Sequence, residues 1–204
     1  MRLVLVRHAE AEESARGRCY GSLDVGLSAR GRSQCAALAD GLASEHVALV
    51  VSSSRIRALE TARAIAERHG LDVRADPALQ ELDFGELEGR TYDEIAASLP
   101  DLYAEWMTSP TRVRFPGGEC YADLARRARR AVEALRGELS GRTVVVVTHG
   151  GIVRSVLADA LGIPDDRIFR FAVDPASLSI VDWVDDVPIV TALNIRAYSS
   201  TGAA

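Results

Sequence analysis

The run Leu3-Val4-Leu5-Val6 leads directly into Arg7 and His8, and Val144-Val145-Val146-Val147 leads into Thr148 and His149. Consecutive apolar residues leave a strand no polar face, so each run reads as a strand covered on both sides, as in the middle of a parallel sheet. In open α/β sheets, ligands bind in the crevice beyond the carboxyl ends of the strands. If both strands are central and parallel, Arg7, His8 and His149 emerge at one sheet edge, where chemistry is usually done.

The rest of the chain supplies the alternation such a sheet needs. Ser28 is placed to cap a helix with apolar positions at Ala36, Leu38, Ala39, Leu42 and Ala43. A strand over Ala48–Val51 ends in three serines, and a helix from about Arg55 to His69 is stopped by Gly70. A short strand at Asp72–Arg74 follows. This β-α-β-α order predicts an α/β fold: a single three-layer domain with a mostly parallel central sheet and helices on both faces. From Thr91 to Pro116 two short helical pieces are broken at Pro100 and Pro110, so residues 85–120 are expected to form a helical excursion capping the sheet edge. A long helix over Tyr121–Leu139 carries Arg126, Arg127, Arg129 and Arg130, expected on a solvated face, and a further helix runs from Ile152 to Leu161. Alternating strands at Ser177–Val184 and Val187–Leu193 close the chain around an Asp185-Asp186 turn. No repeat or linker divides residues 1–204, which are read as one domain.

Charge narrows the partners. A net charge of −5 over 204 residues argues against a nucleic-acid or membrane-surface binder, which would need a basic face. Any anion site must be local. All 24 basic residues are arginine, a side chain suited to bidentate phosphate recognition. Three scattered cysteines show neither metal spacing nor a disulfide framework, which fits a reducing cytoplasm. The four apolar residues before Arg7 are too few for a signal-peptide core, and no apolar run approaches a membrane span.

Arg7, His8, Arg57, His149 and Arg154 fall at strand ends or in first helical turns and can converge. A divalent metal between the two histidines would be repelled by Arg7 and Arg57, so no metal and no cofactor is expected. An anion fits better: Gly150-Gly151 lets backbone N–H groups approach an oxyanion at a helix N-terminus. Arginine, histidine and amide donors together suit a phosphoryl group. Positive neighbours favour neutral imidazole, so His8 can attack phosphorus if a hydrogen bond fixes its other nitrogen. The leaving alkoxide then needs a proton, and the acidic stretch of Glu81, Asp83, Glu86 and Glu88 is the candidate donor region. His46 and His69 read as solvated or capping residues, and Arg154 serves a salt bridge as readily as a ligand.

Arg7-His8 after its strand, Arg57 within Ser52–Ala62, Glu81 within Glu81–Gly89, and Thr148-His149-Gly150 together resemble the histidine phosphatase superfamily, also called phosphoglycerate mutase-like, over residues 2 to about 160. The resemblance implies a sheet flanked by helices and no metal cofactor. It further implies His8 as nucleophile, Arg7, Arg57 and His149 as the phosphate clamp, and Glu81 as proton donor. Ser14, Gly21 and Gly150 are expected phosphate or substrate contacts. Ala9 and Ser14 depart from the glycine and asparagine common at those places. Pro116-Gly117-Gly118-Glu119 resembles the broad-specificity and α-ribazole phosphatase branch. The mutase branch has a basic pair just after a tryptophan, where this chain has Met107-Thr108-Ser109 after Trp106. A phosphomonoesterase on a small phosphorylated metabolite is therefore expected ahead of a phosphoglycerate mutase or a non-enzymatic phospholigand-binding protein. Monomer and homodimer are equally compatible with the tail hairpin.

Overall fold

The computed structural model describes residues 1–196; residues 197–204, the end of the expected domain, lie outside the described residues. Its centre is a six-stranded sheet of β1 (Arg2–Arg7), β2 (Val47–Ser52), β3 (Val73–Ala75), β4 (Thr143–Thr148), β5 (Ser177–Val184) and β6 (Val187–Arg196). The spatial order is β3-β2-β4-β1-β5-β6. The first four strands in that order are parallel, and β5 and β6 are antiparallel additions at the far edge.

Strand pleat explains the two-sided core. Leu3 and Leu5 of β1 and Val144 and Val146 of β4 pack on one face, under α5 (Tyr121–Glu138) and α6 (Gly150–Leu161). Val4, Val6, Val145 and Val147 point to the other face, under α1 (Ala29–Gly41) and α2 (Ile56–Arg68). Strand β1 thus feeds a helix on one face, while its neighbour β4 feeds a helix on the other. Chain connections diverge at the carboxyl ends of this pair, which opens the crevice where ligands bind in such sheets.

Ser28 caps α1 as expected, accepting from the Gly31 N–H at 2.9 Å. Ala36 and Ala43 are exposed, whereas Cys35, Leu38, Ala39 and Leu42 carry that helix's buried face. Alanine is small enough to sit on either side of a helix, so its spacing misled the expected face. The segment between β3 and α5 forms α3 (Tyr92–Ser98) and α4 (Pro100–Thr108). Thr91 makes a capping box with Glu94, and Pro100 opens α4 at a position where no N–H is needed. Ile95, Trp106, Val113 and Phe115 give this excursion its own apolar cluster with Leu87 and Cys19. No described helix is long and apolar enough to cross a membrane.

Candidate active site

The sheet register carries past the strand ends. His8 N–H donates to Thr148 O at 2.8 Å and Ser53 N–H to Val147 O at 2.9 Å, so His8, His149 and Ser53 sit abreast. The two imidazole rings stand 5.1 Å apart and are almost fully buried. His8 Nδ1 lies 2.7 Å from the Ala9 carbonyl. A carbonyl only accepts, so Nδ1 carries the hydrogen and Nε2 keeps the lone pair. Ala9 is held in turn by its N–H to Thr61 Oγ1 at 3.1 Å, and Thr61 donates to the Arg57 carbonyl at 2.8 Å. His149 Nε2 lies 2.7 Å from Ser53 Oγ, and its Nδ1 has no partner among the described residues.

The arginines around these rings form no close ion pair among the described residues. Arg57 is 1% exposed, and no carboxylate among the described residues stands within ion-pair distance of Arg7, Arg57 or Arg154. Arg57 is instead held by the carbonyls of Leu23, Tyr20 and Gly21 at 2.8, 3.0 and 3.0 Å and stacks 5.0 Å from the Tyr20 ring. Arg7 donates to Val173 O at 2.7 Å. Nε of Arg7, Arg57 and Arg154 are buried and unpartnered. Buried donors and charges left this way are unfavourable until an anion meets them. A cavity of about 200 Å³ lined by Arg7, His8, Arg57, Glu81 and His149 is the place where one would.

Glu81 is the acid that reaches this cavity. Its carboxyl accepts from Gly151 N–H at 3.0 Å and Leu82 N–H at 2.9 Å. A side chain on Gly151 would stand 2.3 Å from Glu81 Oε1, which is why glycine occupies that first turn. The other acids of the stretch do structural work: Asp83 accepts from Gly85 N–H, Glu88 from Ser22 and Phe84 N–H, and Glu86 is exposed. Arg127, expected on a solvated face, instead bonds Glu119 twice, at 2.9 and 2.8 Å, and donates to the carbonyls of Ala78, Gln80 and Glu81. Glu119 also accepts from Asp83 N–H at 3.2 Å, so the Glu119–Arg127 pair grips the chain on both sides of Glu81.

The remaining expected residues lie as follows. Ser14 is exposed in a short turn over Glu13–Ala15 and does not line the cavity. Gly21 lines it but meets Arg57 through its carbonyl; its missing side chain is required because a Cβ would lie 1.7 Å from Leu82 O. The helix behind His149 begins at Gly150, close to the expected start, with His149 as its N-cap, so the glycine amides lie in its first turn, where Gly151 N–H meets Glu81. Arg154 makes no salt bridge among the described residues; it reaches towards Gly150 O at 3.4 Å and lies 5.4 Å from the Phe169 ring. Ser53, Tyr20, Thr61 and Arg127 went unrecognised as supports of the site. Only Thr61, one turn after Arg57 on α2, carried a signal in its spacing.

The model of the histidine phosphatase superfamily (branch 1) matches residues 3–196. The chain belongs to that family. Phosphoserine phosphatase 1 of Hydrogenobacter thermophilus is 34% identical over 198 residues, covering 97% of this chain and 94% of that protein. A bifunctional protein of Mycobacterium tuberculosis is 37% identical over 98% of this chain, which spans only 54% of its length. The α-ribazole phosphatase of Shigella flexneri superposes with a TM-score of 0.89 at 28% identity, over 99% of this chain and 100% of its own. A mycobacterial glucosyl-3-phosphoglycerate phosphatase solved with inorganic phosphate gives 0.84 at 32% identity, over 96% of this chain and 98% of its own.

In this member of the histidine phosphatase superfamily, burial first, then Arg57, holds both His8 and His149 well below the ordinary histidine value of 6.5, and Arg7 adds to the effect. Both rings therefore stay neutral in the fold while the unfolded chain takes up protons near that value. The sign follows: stability is expected to fall as pH drops below 6.5, with a slope approaching ~1.4 kcal/mol per pH unit for each histidine. Urea unfolding at steps between pH 7.5 and 5 measures it. His149→Asn should flatten the slope; an unchanged slope in that variant would assign the effect elsewhere.

Proposed function

We propose that this chain hydrolyses phosphomonoesters of small metabolites through a phosphohistidine on His8. One observation carries the reading: the Ala9 carbonyl fixes Nδ1 of a buried, neutral His8, leaving the Nε2 lone pair beside arginine donors that have no partner. In the first step Nε2 attacks phosphorus, the bond to the ester oxygen breaks, and Glu81 gives the departing oxygen a proton. Arg7, Arg57, His149 and the Gly150 amide are assigned the charge on the transferring group. In the second step Glu81 takes a proton from water, the oxygen attacks phosphorus, and the N–P bond breaks to return neutral His8 and inorganic phosphate. The phosphatases among its relatives support hydrolysis as the outcome. Three free cysteines fit a cytoplasmic setting for it.

Phosphate release from a panel of phosphomonoesters tests this, run with and without EDTA. The arginine-flanked histidines disfavour a bound cation, so EDTA should leave turnover unchanged. Activity lost to EDTA and restored by a divalent ion would reject the phosphohistidine route. Interconversion of 3- and 2-phosphoglycerate faster than hydrolysis would make the chain a mutase.

A further inference from the structure

A second cavity, of about 570 Å³, adjoins the arginine-lined one and shares Glu81, Phe84 and Tyr92 with it. Its walls are aromatic and aliphatic. Trp106 stands 5.8 Å from Phe84 and 5.5 Å from Tyr92, and Tyr103, Leu124 and Phe169 complete the enclosure. Among the described residues, the only charged ones lining it are Glu81 and Arg154. Met107 and Phe169 also line it and are 51% and 57% exposed, so part of this apolar lining is open to a ligand that would cover it.

Resting on the hydrolytic reading above, we propose that this cavity receives the alcohol half of the substrate, and that the alcohol is apolar, ring-bearing and without a positive charge. The direction follows from the chemistry. In-line displacement sends the leaving oxygen away from His8, and Glu81, the group assigned to protonate that oxygen, stands in the wall common to both cavities. Beyond Glu81 the leaving group meets stacked rings. An ammonium carried further into the cavity would lose its water against Trp106, Tyr103 and Leu124, and Arg154 in the same lining would repel it. A flat ring instead gains apolar burial and edge or face contacts with the aromatic walls.

The test compares 2-phenylethyl phosphate, n-propyl phosphate and phosphoserine, all esters of primary alcohols. The expected kcat/KM for the phenylethyl ester exceeds that for the propyl ester by about 10- to 100-fold, the range for burying one ring. It should also exceed that for phosphoserine. A double variant, Met107→Ala with Phe169→Ala, should lower the phenylethyl-to-propyl ratio about tenfold. Equal or better turnover of the propyl ester or phosphoserine overturns the assignment while leaving the phosphatase reading intact. Should no ester turn over, the phosphatase reading fails, and calorimetric binding of 2-phenylethylphosphonate and propylphosphonate still decides the pocket. A tenfold affinity preference for the aryl compound sustains it, and a ratio near one overturns it.

Discussion

His8→Ala is expected to lower turnover by ~10⁶-fold, the loss seen when a covalent nucleophile is removed, and to abolish any acid-labile, alkali-stable phosphoenzyme. The expectation rests on atoms. Nδ1 is committed to the Ala9 carbonyl, so Nε2 alone is left to bond phosphorus, and alanine supplies no substitute. The clamp is expected to survive the change, since Arg57 is held by three loop carbonyls and Arg7 by Val173 O, none of which involves the His8 ring. Inorganic phosphate should accordingly still raise the unfolding midpoint of the variant. His149 offers a rival nucleophile, because its Nδ1 is unpartnered and 5.1 Å separates the two rings. Labelled phosphoenzyme that persists in His8→Ala and vanishes in His149→Ala would transfer the role to His149.

The neighbourhood of the two histidines was legible because short-range pattern determines it. An apolar run with no polar face has to be a central strand, and whatever follows it has to stand at the sheet edge. Arg57 was legible for a related reason, in the first turn of the helix after the next strand. What supports these groups was not legible, because it comes from distant parts of the chain. Ser53 meets His149 across 96 residues, and Arg127 meets the Glu81 carbonyl across 46. Arg127 sits among arginines on an amphipathic helix, and nothing in that spacing separates the one that turns towards Glu119 from its solvated neighbours. Packing by itself already requires a glycine at Gly21. Glycines that admit a phosphate and glycines that admit a carbonyl, here Leu82 O, look the same in a sequence. The loop from Glu10 to Gly26 does face the site, where its carbonyls hold Arg57.

Glu81→Gln should behave differently from the loss of His8. A missing proton transfer typically slows a reaction about 10²–10⁴-fold, and the deficit depends on how much the leaving oxygen needs the proton. Alkyl phosphates should therefore lose most of their rate, while p-nitrophenyl phosphate, whose leaving group departs as a stable anion, should lose much less. That contrast is more informative than either rate alone. Glu81 Oε1 and Oε2 accept from different N–H groups, those of Leu82 and Gly151. Glutamine keeps one such acceptor, so some activity will be lost through misplacement alone, equally for every ester. A difference between esters isolates the proton. With the nitrophenyl ester the variant should also accumulate phosphoenzyme, because the same carboxyl is assigned to activate the water of the second step. Glu86→Gln, on an exposed side chain, should change neither rate nor leaving-group dependence. If Glu81→Gln slows alkyl and nitrophenyl esters alike and Glu86→Gln shows the contrast instead, the acid is Glu86, and the Glu119–Arg127 grip serves the fold rather than the chemistry.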